Sequence, residues 1–403
     1  MIDRRTIGRG ALIVCALAIG IVGGGLGGCQ ERPAAVVLWH AYDGAERAAL
    51  EEVCRGWNRD HPEQRVRPVA VPYDAFADKL SSAIPNGNGP DLFIYAHDRL
   101  GDWVAAGLLE PIDFWLDRAT ADRWARQPLA AMAYDGELWG LPLAVKSLAL
   151  YVRTDLVPTP PTTTDELIAM TPALRARGIF PLAYPVADLY GHAPWLHGFG
   201  GAALDRDGRP TIVTPEAIAA ATFVRELVTR EVVPSDADAT MVATMFNEGK
   251  AAMAMSGPWF QGDIGPRVPW RVTTLPIVSA TGRAAAPFLG AEGVMMSARA
   301  GDKAAAIAIM LALAGDESAA LRVRRARQIV PNVAVYAALA DDPVLDGFRR
   351  QLEHAVPMPA SPTMRAVWTP YTNALASIAA GDATPAAALT RAAGEVATYA
   401  RGP

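Results

Sequence analysis

Val36-Val37-Leu38-Trp39 is an unbroken apolar run, and a helical pattern follows over 46–58, with Ala49, Leu50, Val53 and Trp57 on one face. Val66 to Val71 predicts a second strand and Asp74 to Ile84 a second helix. The turn residues Asn86-Gly87-Asn88-Gly89-Pro90 then precede a third strand, predicted over Asp91 to Ala96. The opening therefore reads β-α-β-α-β, the pattern of a largely parallel sheet covered by helices.

The alternation continues. Short strands are predicted at 139–142, 148–152, 180–184 and 251–255, and helices at 215–231, 302–314, 317–325, 346–354 and 369–380. Thr163 with Glu166 three residues on forms a capping box that starts another helix. A chain of 403 residues with 51% apolar content predicts two or three domains and ample core material. The net charge of −5 argues against a nucleic-acid backbone as partner.

The N-terminus carries Arg4, Arg5 and Arg9, then an apolar run from Ala11 to Val22, ending in Leu26-Gly27-Gly28-Cys29. The run is short for a membrane span and suits a signal peptide. The last four residues are similar to a bacterial lipobox, which would make Cys29 the lipidated first residue of the mature chain. An uncleaved anchor helix is the alternative; the glycines from Gly23 onward disfavour it. Residues 1–28 are thus read as signal and 29–34 as a short tether. Cys54 is then the one cysteine left without an assigned role.

Several stretches carry candidate chemistry. Tyr95-Ala96-His97-Asp98-Arg99 lies where a strand ends, and open α/β sheets bind ligands at such ends. A carboxylate and a guanidinium beside an aromatic ring suit a sugar, whose hydroxyls both donate and accept and whose C–H face needs a flat apolar surface. A helix N-cap at Asp98 is the plainer alternative. Ser256-Gly257-Pro258-Trp259 presents a tryptophan after a turn. Trp368 stands early in a helix, Asp188 to Trp195 reads as a polar and aromatic loop, and Asp43 follows the first strand. Each has a structural alternative: core ring, apolar stripe, ordinary loop or helix cap. Zinc-type His-Glu-x-x-His, Cys-x-x-Cys and Gly-x-Ser-x-Gly motifs are missing from the sequence. No metal, cofactor or catalytic residue is expected.

Taken in order, these segments resemble the bacterial maltose/maltodextrin-binding proteins, the sugar-binding components of ABC importers. The resemblance rests on Gly89-Pro90-Asp91, Tyr95 to Arg99, Gly107-Leu108-Leu109, Tyr134-Asp135-Gly136 and Pro142 to Val145. It continues through Asp155-Leu156, Phe246 to Lys250, Gly257-Pro258-Trp259, Met358-Pro359 and Trp368. It implies a periplasmic-binding-protein-like α/β fold with two lobes, hinge crossovers and a central ligand cleft. The implied lobes are 35–144 plus 275–340 and 145–274 plus 341–403, with hinges near Ala144-Val145, Thr274-Leu275 and Ala340-Asp341. Sugar rings would stack on Tyr95, Tyr190, Trp259 and Trp368. Asp43, Asp98, Arg99 and Asp188 would bond hydroxyls. Lys146 stands where the family's well-known maltose binder has a ligand-binding glutamate, and Gly44 where it has a lysine.

The expected function is a lipid-anchored, monomeric, exported sugar binder. It would take maltose, maltodextrin or a related glucoside and deliver it to a membrane permease, without binding nucleic acid. The alternatives are an exported glycan hydrolase using two cleft carboxylates, and a binder of a non-sugar solute on the same fold.

Overall fold

The computed structural model describes residues 35–205, 207–336 and 342–399. The signal peptide, the lipobox with Cys29 and the Ala340-Asp341 hinge lie outside the described residues. β1 (Val36–His40), β2 (Val66–Ala70) and β3 (Leu92–Ala96) form the expected parallel sheet, in the order β2-β1-β3. Helices Gly44–Asp60 and Tyr73–Ala83 connect them. Their buried faces, Ala49 and Leu50 on one and Phe76 and Leu80 on the other, match the apolar spacing.

The chain then forms β4 (Gly140–Lys146), seven residues long where four were predicted. β5 (Ala149–Arg153), β6 (Phe180–Ala183), β7 (Ala251–Ser256) and β8 (Trp270–Thr273) make a second sheet, ordered β8-β5-β7-β6. β9 (Phe288–Met296) returns to the first sheet, antiparallel to both β3 and β4, and β10 (Val356–Pro357) pairs with its start. The protein is thus a two-lobed α/β fold with one large sheet in each lobe, beside two small two-stranded ones.

Lys146 pairs with Gly290 in the first sheet, so the first crossing is the turn at Ser147-Leu148. Leu275 and Val278 pack into the second lobe's core with Leu150, Leu182 and Trp195, so the chain re-crosses only between Ala285 and Phe288. The Ser147 hydroxyl donates to Phe288 O at 2.9 Å, tying the two crossings together. Val145 N–H donates to Ile329 O at 2.7 Å, adding the third segment.

Two further elements differ from expectation. Residues 189–198 are a helix, not a loop: Asp188 caps it, and Trp195 is fully buried with its indole N–H on Tyr184 Oη at 3.0 Å. The helix carrying Trp368 begins at Pro362 with Ser361 as cap, seven residues before the predicted start. Among the described residues no single helix is long and apolar enough to cross a membrane.

Candidate ligand-binding cleft

The carboxyl ends of β1 and β3, the β4–β9 pair and three second-lobe helical segments surround a cavity of about 310 Å³. Tyr42, Glu46, Tyr73, Tyr95 and Asp98 line it from the first lobe. Lys146, Gly290 and Glu292 form its floor at the crossing, and Tyr190, Trp259 and Trp368 line it from the second lobe. Adjoining cavities of about 410 and 180 Å³ share Trp259 with it, so the three form one continuous cleft. Sizes of this order suit small-molecule sites.

The aromatic wall is a row. Trp259 and Tyr190 ring centroids are 6.4 Å apart, Tyr190 and Phe288 6.2 Å, and Phe288 and Trp368 6.2 Å. Phe288 is buried beneath, and the other three line the cavity. Trp259 is 50% exposed, far above what a core tryptophan shows. Gly257 makes its position possible, because a Cβ there would overlap the Trp259 ring. Its φ of −90° is ordinary, so the glycine is required by the indole and not by the backbone.

Tyr95 lines the cavity with little of its ring open. Its ring stacks on Tyr73 at 5.2 Å and Phe76 at 5.0 Å, packs edge-on against Trp103, and is 5% exposed. The open ring at this end is Tyr73, 58% exposed. Sequence reading missed Tyr73 because one tyrosine after a proline at a helix start carries no signal of its own.

The three polar residues after β3 separate. His97 is buried. Its Nε2–H donates to Met358 O at 2.8 Å, which leaves Nδ1 to accept the Ala291 N–H at 3.1 Å. It braces three segments of the cleft wall. Asp98 lines the cavity, and its Oδ1 is buried without a partner. Burial pushes its carboxyl pKa up. Arg99 lines a separate surface recess with Asp102 and Arg365, while its charge still acts on Tyr73, Tyr95 and Asp98. A 3-10 turn over 97–99 turns successive side chains apart by about a third of a revolution, which sends Arg99 away from Asp98.

The polar floor was read only in part. Lys146 Nζ pairs with Glu292 Oε2 at 2.8 Å. Burial pulls the ammonium pKa down, but Glu292 and Glu46 more than reverse this and hold it above its usual range. Glu46 also accepts from Gln328 Nε2 at 3.0 Å. Glu292 sits where the β9–β4 register shifts, an irregularity that re-aims a side chain. Asp43 is exposed and lines the 410 Å³ arm, with Gly44 beside it. Asp188 lines the 180 Å³ arm, where its Oδ1 accepts the Tyr190 N–H at 3.0 Å and burial raises its pKa. Among the described residues no group of three or more His, Cys, Asp or Glu is placed to hold a metal ion.

Comparison with known proteins agrees with this geometry. Residues 42–320 match the model of the bacterial extracellular solute-binding protein family. A maltotriose-binding protein of Pyrococcus abyssi is 29% identical over 83% of this chain and 75% of its own length. A galactooligosaccharide-binding protein of Bacillus subtilis is 25% identical over 89% and 87%. A maltooligosaccharide ABC transporter solute-binding lipoprotein of Streptococcus pneumoniae is 25% identical over 84% and 83%. Among solved structures, a cyclo/maltodextrin-binding protein complexed with maltotetraose superposes with a TM-score of 0.84 at 28% identity, covering 91% of this chain and 97% of that one. The Thermus thermophilus maltotriose-binding protein gives 0.79 at 26%, covering 90% and 99%. A two-lobed fold, a cleft at the strand ends and a family match over most of the chain agree: this protein belongs to the bacterial extracellular solute-binding proteins.

Proposed function

We propose that the chain captures a neutral oligosaccharide, of the maltodextrin type or a near relative, and hands it to an ABC permease while a lipid on Cys29 holds it at a membrane. The observation that carries the sugar reading is Trp259, half exposed in the middle of the cleft beside Tyr190. Its flat face suits the C–H surface of a sugar ring. The unpartnered Asp98 oxygen and the Lys146–Glu292 pair supply acceptors and a donor for hydroxyls. The relatives named above bind maltotriose, maltooligosaccharides or galactooligosaccharides, which narrows the panel to test.

Binding draws the lobes together by bending at the crossings, and the closed form is the one delivered. No chemistry on the sugar is required, and the relatives are binding proteins. The test is isothermal titration with maltose, maltotriose, maltotetraose and a galactooligosaccharide, followed by a reducing-sugar assay on the same mixtures. A Kd near micromolar for one of them, about −8 kcal/mol, with the sugar recovered intact, is expected. Silence across the panel removes the sugar, and turnover makes the protein a hydrolase.

A further inference from the structure

Phe114 and Trp115 are 91% and 38% exposed, and their rings meet edge-on at 5.7 Å in the short turn Asp113–Trp115. Neither touches the cleft. A chain of hydrogen bonds fixes where they are. Val37 N–H donates to Asp91 Oδ2 at 2.8 Å, and Ser297 N–H donates to Asp91 O at 2.9 Å. Leu109 bridges Ser297, and Glu110 N–H donates to Met296 O at 3.0 Å. Ile112 N–H then donates to Leu138 O, and Leu138 N–H donates to Asp113 Oδ2 at 2.7 Å. The start of β1, the end of β9 and the Phe114-Trp115 turn therefore share one pole of the first lobe. The ligand cleft is at the other pole, where β1 and β3 end.

The anchor would attach at this same pole. Ala35, the first described residue, precedes β1 directly. Cys29 is six residues before it, and six residues reach at most about 22 Å. Paired Phe and Trp side chains favour the headgroup level of a bilayer, where the apolar rings leave water and the indole N–H stays hydrated. We propose that Phe114 and Trp115 form a second contact with the membrane, resting in its interfacial layer. This rests on the lipid-anchor reading above. The lipid fixes a single point of the chain, and a second contact on the same side sets how the first lobe lies on the bilayer. The exposed neighbours Asp113, Asp117 and Arg118 bring no surplus of positive charge, so the contact needs no anionic lipid. Resting on this pole, the protein opens its cleft away from its own bilayer, toward incoming ligand, and must tip over to reach a permease.

The test uses the lipidated full chain on phosphatidylcholine vesicles, with the fluorophore NBD on Arg118→Cys, or on Met241→Cys beside the cleft. Met241 is 42% exposed in the helix Ala239–Asn247, whose residues Ala239 and Val242 line the 180 Å³ arm. Cys54 stays unlabelled, because it is buried and burial pushes its thiol pKa up to about 12. Spin-labelled lipid is expected to quench the probe at 118 at least twofold more than the probe at 241, and Phe114→Ser with Trp115→Ser to abolish that difference. Equal quenching at both sites, or quenching at 118 untouched by the double substitution, overturns the proposal. Vesicle flotation reads the anchor separately. If the chain does not float, an N-terminal hexahistidine at Gln30 on a nickel-chelating lipid supplies the tether, and the same quenching comparison decides.

Discussion

Lys146 and Glu292 are 146 residues apart in the chain, and their ion pair, 2.8 Å long, forms the floor of the ligand cleft. The two residues come from β4 and β9, paired strands that adjoin the crossings between lobes. The Glu292 side chain is 12% exposed and that of Lys146 36%, so water screens the pair only in part. Lys146→Met is expected to cost about 1–2 kcal/mol, below the cost of breaking a fully buried pair. Replacing both residues by apolar ones should recover part of that loss. Urea denaturation of the two single variants and the double variant measures the coupling, and purely additive losses would show that the pair carries none. In the titration panel, Lys146→Glu gathers three carboxylates on the floor and should reorder the sugar affinities. An unchanged order would place Lys146 away from the ligand.

Trp259 and Gly257 make a linked pair of tests. Trp259→Ala should weaken sugar binding at least tenfold, about 1.4 kcal/mol, while moving the melting temperature little, since the ring is half exposed. Gly257→Ala puts a methyl where the indole lies, at a φ that alanine adopts freely. It should displace the ring and lose much of the same affinity while leaving the fold stable. Affinity unchanged in both variants would turn Trp259 into a surface residue with no part in binding.

Tyr73 and Tyr95 are predicted to separate binding from folding. Tyr73→Ala removes the exposed ring and should lower affinity with a small stability change. Tyr95→Ala empties a site packed by Tyr73, Phe76 and Trp103 and should cost about 3–5 kcal/mol of stability. Thermal melts alongside titrations give both readouts. The reverse outcome, with Tyr95→Ala folding normally and losing the sugar, would make Tyr95 the stacking platform.

The legible parts of this molecule are those where one segment decides its own fate. The first β-α-β-α-β unit shows in its apolar spacing, and Trp259 in its turn. The sequence pattern predicts no strand at β9, although it is the longest strand of its sheet. Its apolar run is broken by Gly290, Glu292 and Gly293, and each break has a distant cause. A Cβ at Gly293 would lie 2.9 Å from Leu141 O and overlap Met132, while Gly290 and Glu292 face the cavity. Missing β9 meant missing Glu292, the partner of Lys146. Asp98 and Arg99 line different recesses for a local reason, the 3-10 turn His97–Arg99. The hairpin at Ile277–Ala284 stays with the second lobe through Leu275 and Val278, a packing choice that no window of the sequence displays.

His192 is fully buried in the helix Leu189–Gly198, near Tyr371, and neither ring nitrogen has a hydrogen-bond partner. Burial, with a smaller push from His197, lowers its pKa to about 3. The unfolded chain regains the ordinary value near 6.5. Between those values the unfolded state binds the proton and the native state does not, so stability rises with pH across the window and levels off above it. At pH 5 the penalty relative to pH 8 is about 2 kcal/mol from this one residue. His40 and His197 are lowered by burial as well and add to the same trend. Chemical denaturation at pH 5 and pH 8, for the wild type and for His192→Phe, isolates the contribution. The variant should lose about 2 kcal/mol less than the wild type on acidification. Equal losses in the two proteins would mean that His192 reaches a proton in the native state, through water or an opening of the helix that the packing around Tyr371 does not provide.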